Sequence, residues 1–257
     1  MIITLLTDFG LSDYYVGSMK GVILSINPGI QIVDITHDIC SRNVEQAAFV
    51  LKRAYSYFPN GTIHIIVVDP GVGSERSILA VQTDRHIFLA PDNGVLKYIF
   101  NTHPEAAVFQ VTNTSTFLEN VSHTFHGRDI FASVAAHLTK GFKIETLGKP
   151  FREYIVGGIK HPIKEPGGIS GEIIYIDKFG NGVTNIEEVT LMDQKKIQVR
   201  FKSQILKGLC KTYTDVPAGE ILALIGSGRT LEISARGASA SDKIGLQVGD
   251  KVTVTFD

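Results

Sequence analysis

Apolar positions along the chain fall into two rhythms. The runs IITLLT (2–7), IQIVDI (30–35), TIHIIVVD (62–69), HIFLAP (86–91) and AAVFQVT (106–112) are short, apolar and rich in β-branched residues, which predicts strands. Between the first two, Val16, Met19, Ile23 and Ile26 recur at helical spacing until Asn27-Pro28-Gly29 stops the pattern. A second helical stripe, Val44, Ala47, Leu51, Tyr55 and Phe58, starts behind Asn43 as N-cap and runs to Pro59-Asn60-Gly61. Ile78 to Pro91 reads as two strands around Thr83-Asp84-Arg85, so a hairpin interrupts the alternation. A later helix carries Phe131, Val134, Ala135 and Leu138 and closes at Gly141. Alternating strands and helices predict a layered α/β domain.

The rhythm changes after GGIKHPIKEPGGISG, Gly157 to Gly171, a Gly- and Pro-rich stretch that reads as a linker. Beyond it GEIIYID, IQVRF, EILALIG, TLEIS and KVTVTF are short runs between Gly-rich turns, with little helical periodicity. They predict a smaller antiparallel, barrel-like β domain. The expected organisation is an α/β domain over 1–160 and a β domain over 168–257, without internal repeats.

Composition narrows the function. The chain has 257 residues, 44% of them hydrophobic, and a formal net charge of -1 without a Lys/Arg run. Nucleic acid and anionic membrane are therefore poor partners, and a small molecule is the expected one. The N-terminal MIITLLTDF is too short to span a bilayer and lacks the features of a secretory signal, so a cytoplasmic location is expected. Cys40 and Cys210 are isolated, without CxxC spacing, and read as buried spectator thiols.

Candidate chemistry lies where strands end. Ligands of parallel α/β sheets gather beyond the carboxyl ends of strands, and Asp8 and Asp69 stand there, although either carboxylate could merely cap its own turn. The loop after Asp69, PGVGSER, lacks the Lys-Ser/Thr pair of a phosphate loop and the third glycine of a dinucleotide fingerprint. It leaves an acid and Arg76 close in sequence, either a structural ion pair or a pair oriented around a polar molecule. In HTFHGRDIF, Asp129 suits a helix start and Arg128 can pair with a neighbouring acid, whereas His126 at a helix entrance can bind water or a ligand. The histidines show no metal spacing and no GxSxG elbow is present. In the second domain Asp177 and Asn181 sit in a strand-turn, Ser227 in a Gly-rich loop, Glu232 on the following strand, where surface polarity is its simplest explanation, and Tyr213 could be core or a stacking platform.

Taken in order, LLTDFG, VDITHDI, VVDPGVGSERS, LAPDNG, TFHGRDIF, YIDKFGNGVTN and IGSGRTLEIS span almost the whole chain. This set resembles the S-adenosylmethionine (SAM) hydroxide adenosyltransferases, relatives of the SAM-dependent chlorinases and fluorinases. The resemblance implies hydrolysis of SAM to adenosine and L-methionine without a cofactor, in a homotrimer whose ligand lies at a subunit interface. It implies Asp69, Arg76 and His126 as the groups that hold and activate water, Asp8 on the ribose, Asp13 near the methionine end, and Asp177, Asn181, Tyr213, Ser227 and Glu232 on adenine and methionine. Halogenases of the family carry an aromatic or small residue at the Asp69 position, and fluorinases have an insertion near Thr83-Asp84-Arg85. A non-catalytic adenosine- or SAM-binding module and a SAM-dependent halogenase are the alternatives.

Overall fold

The computed structural model describes residues 1–256, which divide into a unit from Met1 to Ile159 and a unit from Lys160 onward. In the first, β1 (Ile2–Thr7), α1 (Tyr15–Ile26), β2 (Gln31–Thr36), α2 (Val44–Ala54), β3 (Thr62–Val67), β4 (Ile78–Gln82), β5 (His86–Pro91), α3 (Lys97–Thr102), β6 (Ala107–Gln110) and α4 (Ser133–Thr139) follow one another. The strands form one sheet in the order β2-β1-β3-β5-β4-β6. β2, β1, β3 and β5 are parallel, and β4 runs antiparallel to both its neighbours.

The two-residue period of the strands divides their side chains between two cores. Ile3, Leu5, Ile63 and Ile65 pack with Val16, Met19 and Ile23 of α1 and with Val134 and Leu138 of α4. Leu6, Ile66, Val68 and Phe88 pack on the other face with Ala47 and Leu51 of α2 and Ile99 of α3. Asn43 is the N-cap of α2, accepting from the Gln46 amide at 2.9 Å. The α2 stripe ends earlier than its apolar spacing predicts: after Ala54 the chain tightens into a 3-10 turn, Tyr55–Tyr57, and Phe58 is extended. The helix around Phe131 has two parts, because a π-helical segment, Gly127–Ala132, precedes α4. Such widened turns concentrate at functional sites, and this one begins directly after His126.

Neither cysteine is a buried spectator. Cys40 is exposed on the loop into α2, its amide donating to Gln46 Oε1 at 2.7 Å, and Cys210 is only half-buried.

In the second unit β7 (Ile163–Glu165), β8 (Gly168–Ile176), β9 (Gly182–Glu187), β10 (Gln198–Phe201), β11 (Gln204–Lys207), β12 (Ile221–Ile225), β13 (Thr230–Ala235) and β14 (Lys251–Thr255) form an antiparallel sheet in the order β11-β10-β14-β8-β9-β13-β12, with β7 also paired to β8. Ile173, Ile186, Val199, Phe201, Leu231, Ile233, Val252 and Val254 fill its interior, giving the nearly closed, barrel-like arrangement expected. Much of the Gly- and Pro-rich stretch expected to link is strand: β7 and β8 form a hairpin that turns at Pro166-Gly167. Among the described residues, no helix is long and apolar enough to cross a membrane.

Candidate functional site

The parallel register sets Thr7 of β1 beside Val67 of β3, so both strands leave the sheet at the same edge. Asp8 follows Thr7 directly and Asp69 follows Val67 after one residue, Val68, and both line a cavity of about 570 Å³ together with Phe9, Tyr15, Arg42, Phe125 and His126. The Asp8 loop is held from two sides. Thr7 Oγ1 bonds His37 Nδ1 at 2.8 Å, while the Gly10 amide donates to the His37 carbonyl at 2.8 Å. Asp8 Oδ2 accepts from the Arg42 amide at 2.7 Å.

Asp69, Arg76 and His126 converge. Arg76 donates Nε and Nη2 to Asp69 Oδ2 at 2.8 and 2.5 Å, and the two side chains are about 10% and 4% exposed. The same Nη2 reaches His126 Nδ1 at 2.8 Å. A guanidinium only donates, so Nδ1 accepts and the proton of the neutral imidazole sits on Nε2. Burial and, second, the Arg76 charge push the His126 pKa below its ordinary value, against a smaller opposing pull from Asp69. Among the described residues, Asp69 Oδ1 accepts only from the Gly71 amide, at 3.2 Å.

Two glycines let the loops meet. Gly73 has φ +80°, and a Cβ there would lie 2.6 Å from the His123 carbonyl oxygen, so the Asp69–Arg76 loop packs backbone to backbone on the segment that carries His126. A Cβ on Gly127 would lie 3.3–3.4 Å from Met19, Phe125 and Phe9.

Asp13 is exposed and lies outside the lining of this cavity. In the second unit the candidates form two clusters. Asn181, buried, donates Nδ2 to Asp177 Oδ2 and its amide to Oδ1, both at 2.9 Å. Tyr213 donates its hydroxyl to Glu232 Oε1 at 2.9 Å, and Ser234 donates to the same oxygen at 2.8 Å. Burial and this carboxylate push the Tyr213 phenol up to about 12. Glu232 is therefore a buried acceptor and not surface polarity, while the Tyr213 ring is partly exposed. Ser227 is exposed in the turn between β12 and β13.

A larger cavity of about 940 Å³ in the second unit, lined by Leu191, Met192, Lys207 and Ile225 among others, holds none of these residues. The smaller one is the candidate site because Asp69, His126 and a second carboxylate, Asp8, line it together. Sequence reasoning missed Phe9, Tyr15, Arg42 and Phe125 as cavity walls. Phe9 and Phe125 stand one residue from Asp8 and His126, a signal of position only. Arg42 is brought in by a backbone at φ 64°, which a non-glycine residue does not advertise. Among the described residues, no three His, Cys, Asp or Glu side chains are grouped to hold a metal ion.

Comparison with known proteins gives a consistent match. The SAM hydroxide adenosyltransferase N-terminal domain matches residues 3–148 and the C-terminal domain matches residues 171–253. A (R)-S-adenosyl-L-methionine hydrolase of Salinispora tropica is 32% identical over 98% of this chain and 97% of its own. A fluorinase of an Actinoplanes species is 28% identical over 99% and 97%. The crystal structure of an uncharacterized conserved protein from Thermotoga maritima superimposes with a TM-score of 0.91 at 38% identity, covering 99% of this chain and all of that one.

Proposed function

The chain belongs to the SAM hydroxide adenosyltransferase family, and from that premise we propose that it is an enzyme hydrolysing SAM to adenosine and L-methionine. The observation that carries this reading is the convergence of Asp69, Arg76 and His126 in a cavity that also presents Asp8.

The reaction is an in-line displacement at C5′ of the ribose. Water attacks, the C5′–sulfur bond breaks with its electron pair going to sulfur, and the sulfonium departs as the neutral thioether of methionine. The leaving group is already activated by its positive charge, so the protein's task is to place and deprotonate water. Asp8 binds the ribose hydroxyls and limits the approach to C5′. His126, neutral and protonated on Nε2, donates to the water oxygen. Asp69 accepts the proton through Oδ1, the oxygen not shared with Arg76. Arg76 holds the Asp69 carboxylate through Nε and Nη2 and stabilises the developing hydroxide.

Halide transfer is the second reading, raised by the fluorinase relatives. A desolvated halide would have to approach the Asp69 carboxylate, which disfavours it. The chain also turns from β4 to β5 through only Thr83, Asp84 and Arg85, leaving no room there for a fluorinase-type insertion. A homotrimer in the cytoplasm completes the proposal, with Asp177, Asn181, Tyr213, Ser227 and Glu232 contacting adenine and methionine at a subunit interface and Asp13 near the methionine end.

Purified protein incubated with SAM, with products separated chromatographically, tests the reading. Adenosine and methionine are expected from the wild type and much less from Asp69→Ala, Arg76→Ala and His126→Ala. Tight adenosine binding by calorimetry with no product after long incubation would instead make it a binding module.

A further inference from the structure

The turn Pro91-Asp92-Asn93-Gly94 carries the chain from β5 toward α3 and lines no part of the site cavity, yet it grips both ends of the loop that bears Asp69 and Arg76. At the far end, the Asp92 amide donates to the carbonyl of Ser77, the residue after Arg76, at 2.9 Å. At the near end, Asn93 Nδ2 donates to the carbonyl of Val68, the residue before Asp69, at 2.9 Å. The turn itself is fixed, because the Val95 amide donates to Asn93 Oδ1 at 3.2 Å and the Ile155 amide to Asp92 Oδ1 at 2.8 Å.

Strand chemistry explains why a side chain is needed. β3 and β5 are parallel with Ile65 facing Leu89, so the end of β3 comes level with Pro91. Pro91 has no N–H, and the next amide, that of Asp92, is spent on Ser77. The carbonyl of Val68, a fully buried residue, would therefore find no backbone donor on β5, and an unpaired buried acceptor is costly. The Asn93 carboxamide supplies the donor. Its two partners, an N–H on one side and a carbonyl on the other, also fix which way the amide faces, since the flipped group would set oxygen against oxygen.

We propose that Asn93 is a positioning residue for the water site, its carboxamide setting the peptide that precedes Asp69 and thereby the angle at which the Asp69–Arg76 pair meets His126. The inference rests on the hydrolytic reading above. The loop is held at three points: by Asn93 before Asp69, by the packing of Gly73 on the His123 carbonyl, and by the Asp92 amide after Arg76. The Asn93 hold is made by a side chain and lies directly beside the residue that takes the proton. Arg76 grips Asp69 Oδ2 through Nε and Nη2 and uses the same Nη2 on His126, so a turn of the carboxylate carries the guanidinium away from Nδ1. Asn93 is absent from the cavity lining, and its loss should appear in turnover rather than in substrate binding.

The test compares wild type with Asn93→Asp and Asn93→Ala in steady-state kinetics with SAM from pH 5.5 to 8. Asn93→Asp keeps the acceptor for the Val95 amide and, when ionised, removes only the donor to Val68. At pH 8 its kcat should fall ~10–100-fold with KM within ~3-fold of wild type. By pH 5.5 its deficit relative to wild type should shrink by at least ~3-fold, because part of the introduced carboxyl is then protonated and can donate again. Asn93→Ala should lose as much without that recovery, and Asn93→Asp decides if the alanine variant does not fold. A merely structural role would give the same deficit in both variants at every pH, and that outcome overturns the proposal, as does a kcat within ~3-fold of wild type at pH 8 or a loss carried by KM. If wild type forms no adenosine, the hydrolytic reading fails and the positioning role is judged separately by NMR titration of the His126 ring nitrogens. With Arg76 turned away, its larger effect on the ring is lost along with the smaller one of Asp69, so the His126 pKa should rise in both variants. An unchanged His126 titration overturns the proposal.

Discussion

Arg76 donates Nη2 to His126 Nδ1 at 2.8 Å, joining residues 50 positions apart in sequence. This contact settles which imidazole nitrogen carries the proton, and so which can face a water molecule as a donor. It also brings a positive charge against a ring whose protonation burial already opposes.

The first consequence is a pH profile. The lowered His126 pKa keeps the ring neutral below its ordinary 6.5, so activity should persist on the acid side and fall only below that value. Arg76→Gln removes a charge that lowers the pKa and leaves burial to oppose the Asp69 pull largely without it. The acid limb of kcat should then move to higher pH, on top of a drop of ~10²–10³-fold. A kcat profile from pH 4 to 9 for both proteins checks this; an acid limb that does not move contradicts it.

Asp8 is expected to act on binding. Asp8→Asn keeps an acceptor for the Arg42 amide but loses the charge, whereas Asp8→Ala loses both. KM for SAM should rise by ~10–100-fold, more in the alanine variant, with a smaller change in kcat. Steady-state kinetics with intact-fold controls by circular dichroism decide it.

Gly73→Ala should damage the site without touching a reacting group. The new methyl group would sit 2.6 Å from the His123 carbonyl oxygen on a backbone at φ +80°. A loss of ~1–3 kcal/mol in stability is expected, together with reduced kcat as the Asp69–Arg76 loop separates from His126. Denaturant unfolding and turnover on one preparation measure both.

A separate buried group governs acid stability. His64, fully buried, bonds Thr4 Oγ1 at 2.7 Å and stacks on Phe88 with ring centres 5.0 Å apart. Burial lowers its pKa to about 3, with the neighbouring His86 adding to the shift. The unfolded chain binds a proton near pH 6.5 where the folded one does not, so this contribution is complete above about 6.5 and is lost as pH falls toward about 3. His64→Leu should be less stable at pH 7.5, from the orphaned Thr4 hydroxyl and altered packing, yet should lose less further stability between pH 7.5 and 5 than wild type. Thermal melts across that range read the difference.

The strands, both helical stripes flanking β2 and the change to a β-only unit were legible in the sequence because the apolar period records which faces are buried. Asp69, Arg76 and His126 stood out in the sequence through their motifs, but only the family resemblance, not their spacing, implied that they meet. Asp69 and Arg76 share one loop, whereas His126 reaches them across a chain reversal that depends on Gly73 having no side chain. Glu232 was misread because one acid on an alternating strand looks the same whether it faces solvent or a phenol and a serine. The end of α2 at Ala54 was hidden because Tyr55 and Phe58 continue the apolar stripe after the backbone has changed its turn.

The central claim is that Asp69, Arg76 and His126 direct water to C5′ of SAM. The most direct measurement is turnover in H₂¹⁸O with chloride and fluoride present, reading the nucleoside product by mass spectrometry. Adenosine carrying ¹⁸O at its 5′ oxygen, formed by wild type and lost in Asp69→Ala, is the expected result. A 5′-halogenated nucleoside from wild type, or adenosine without the label, would contradict it.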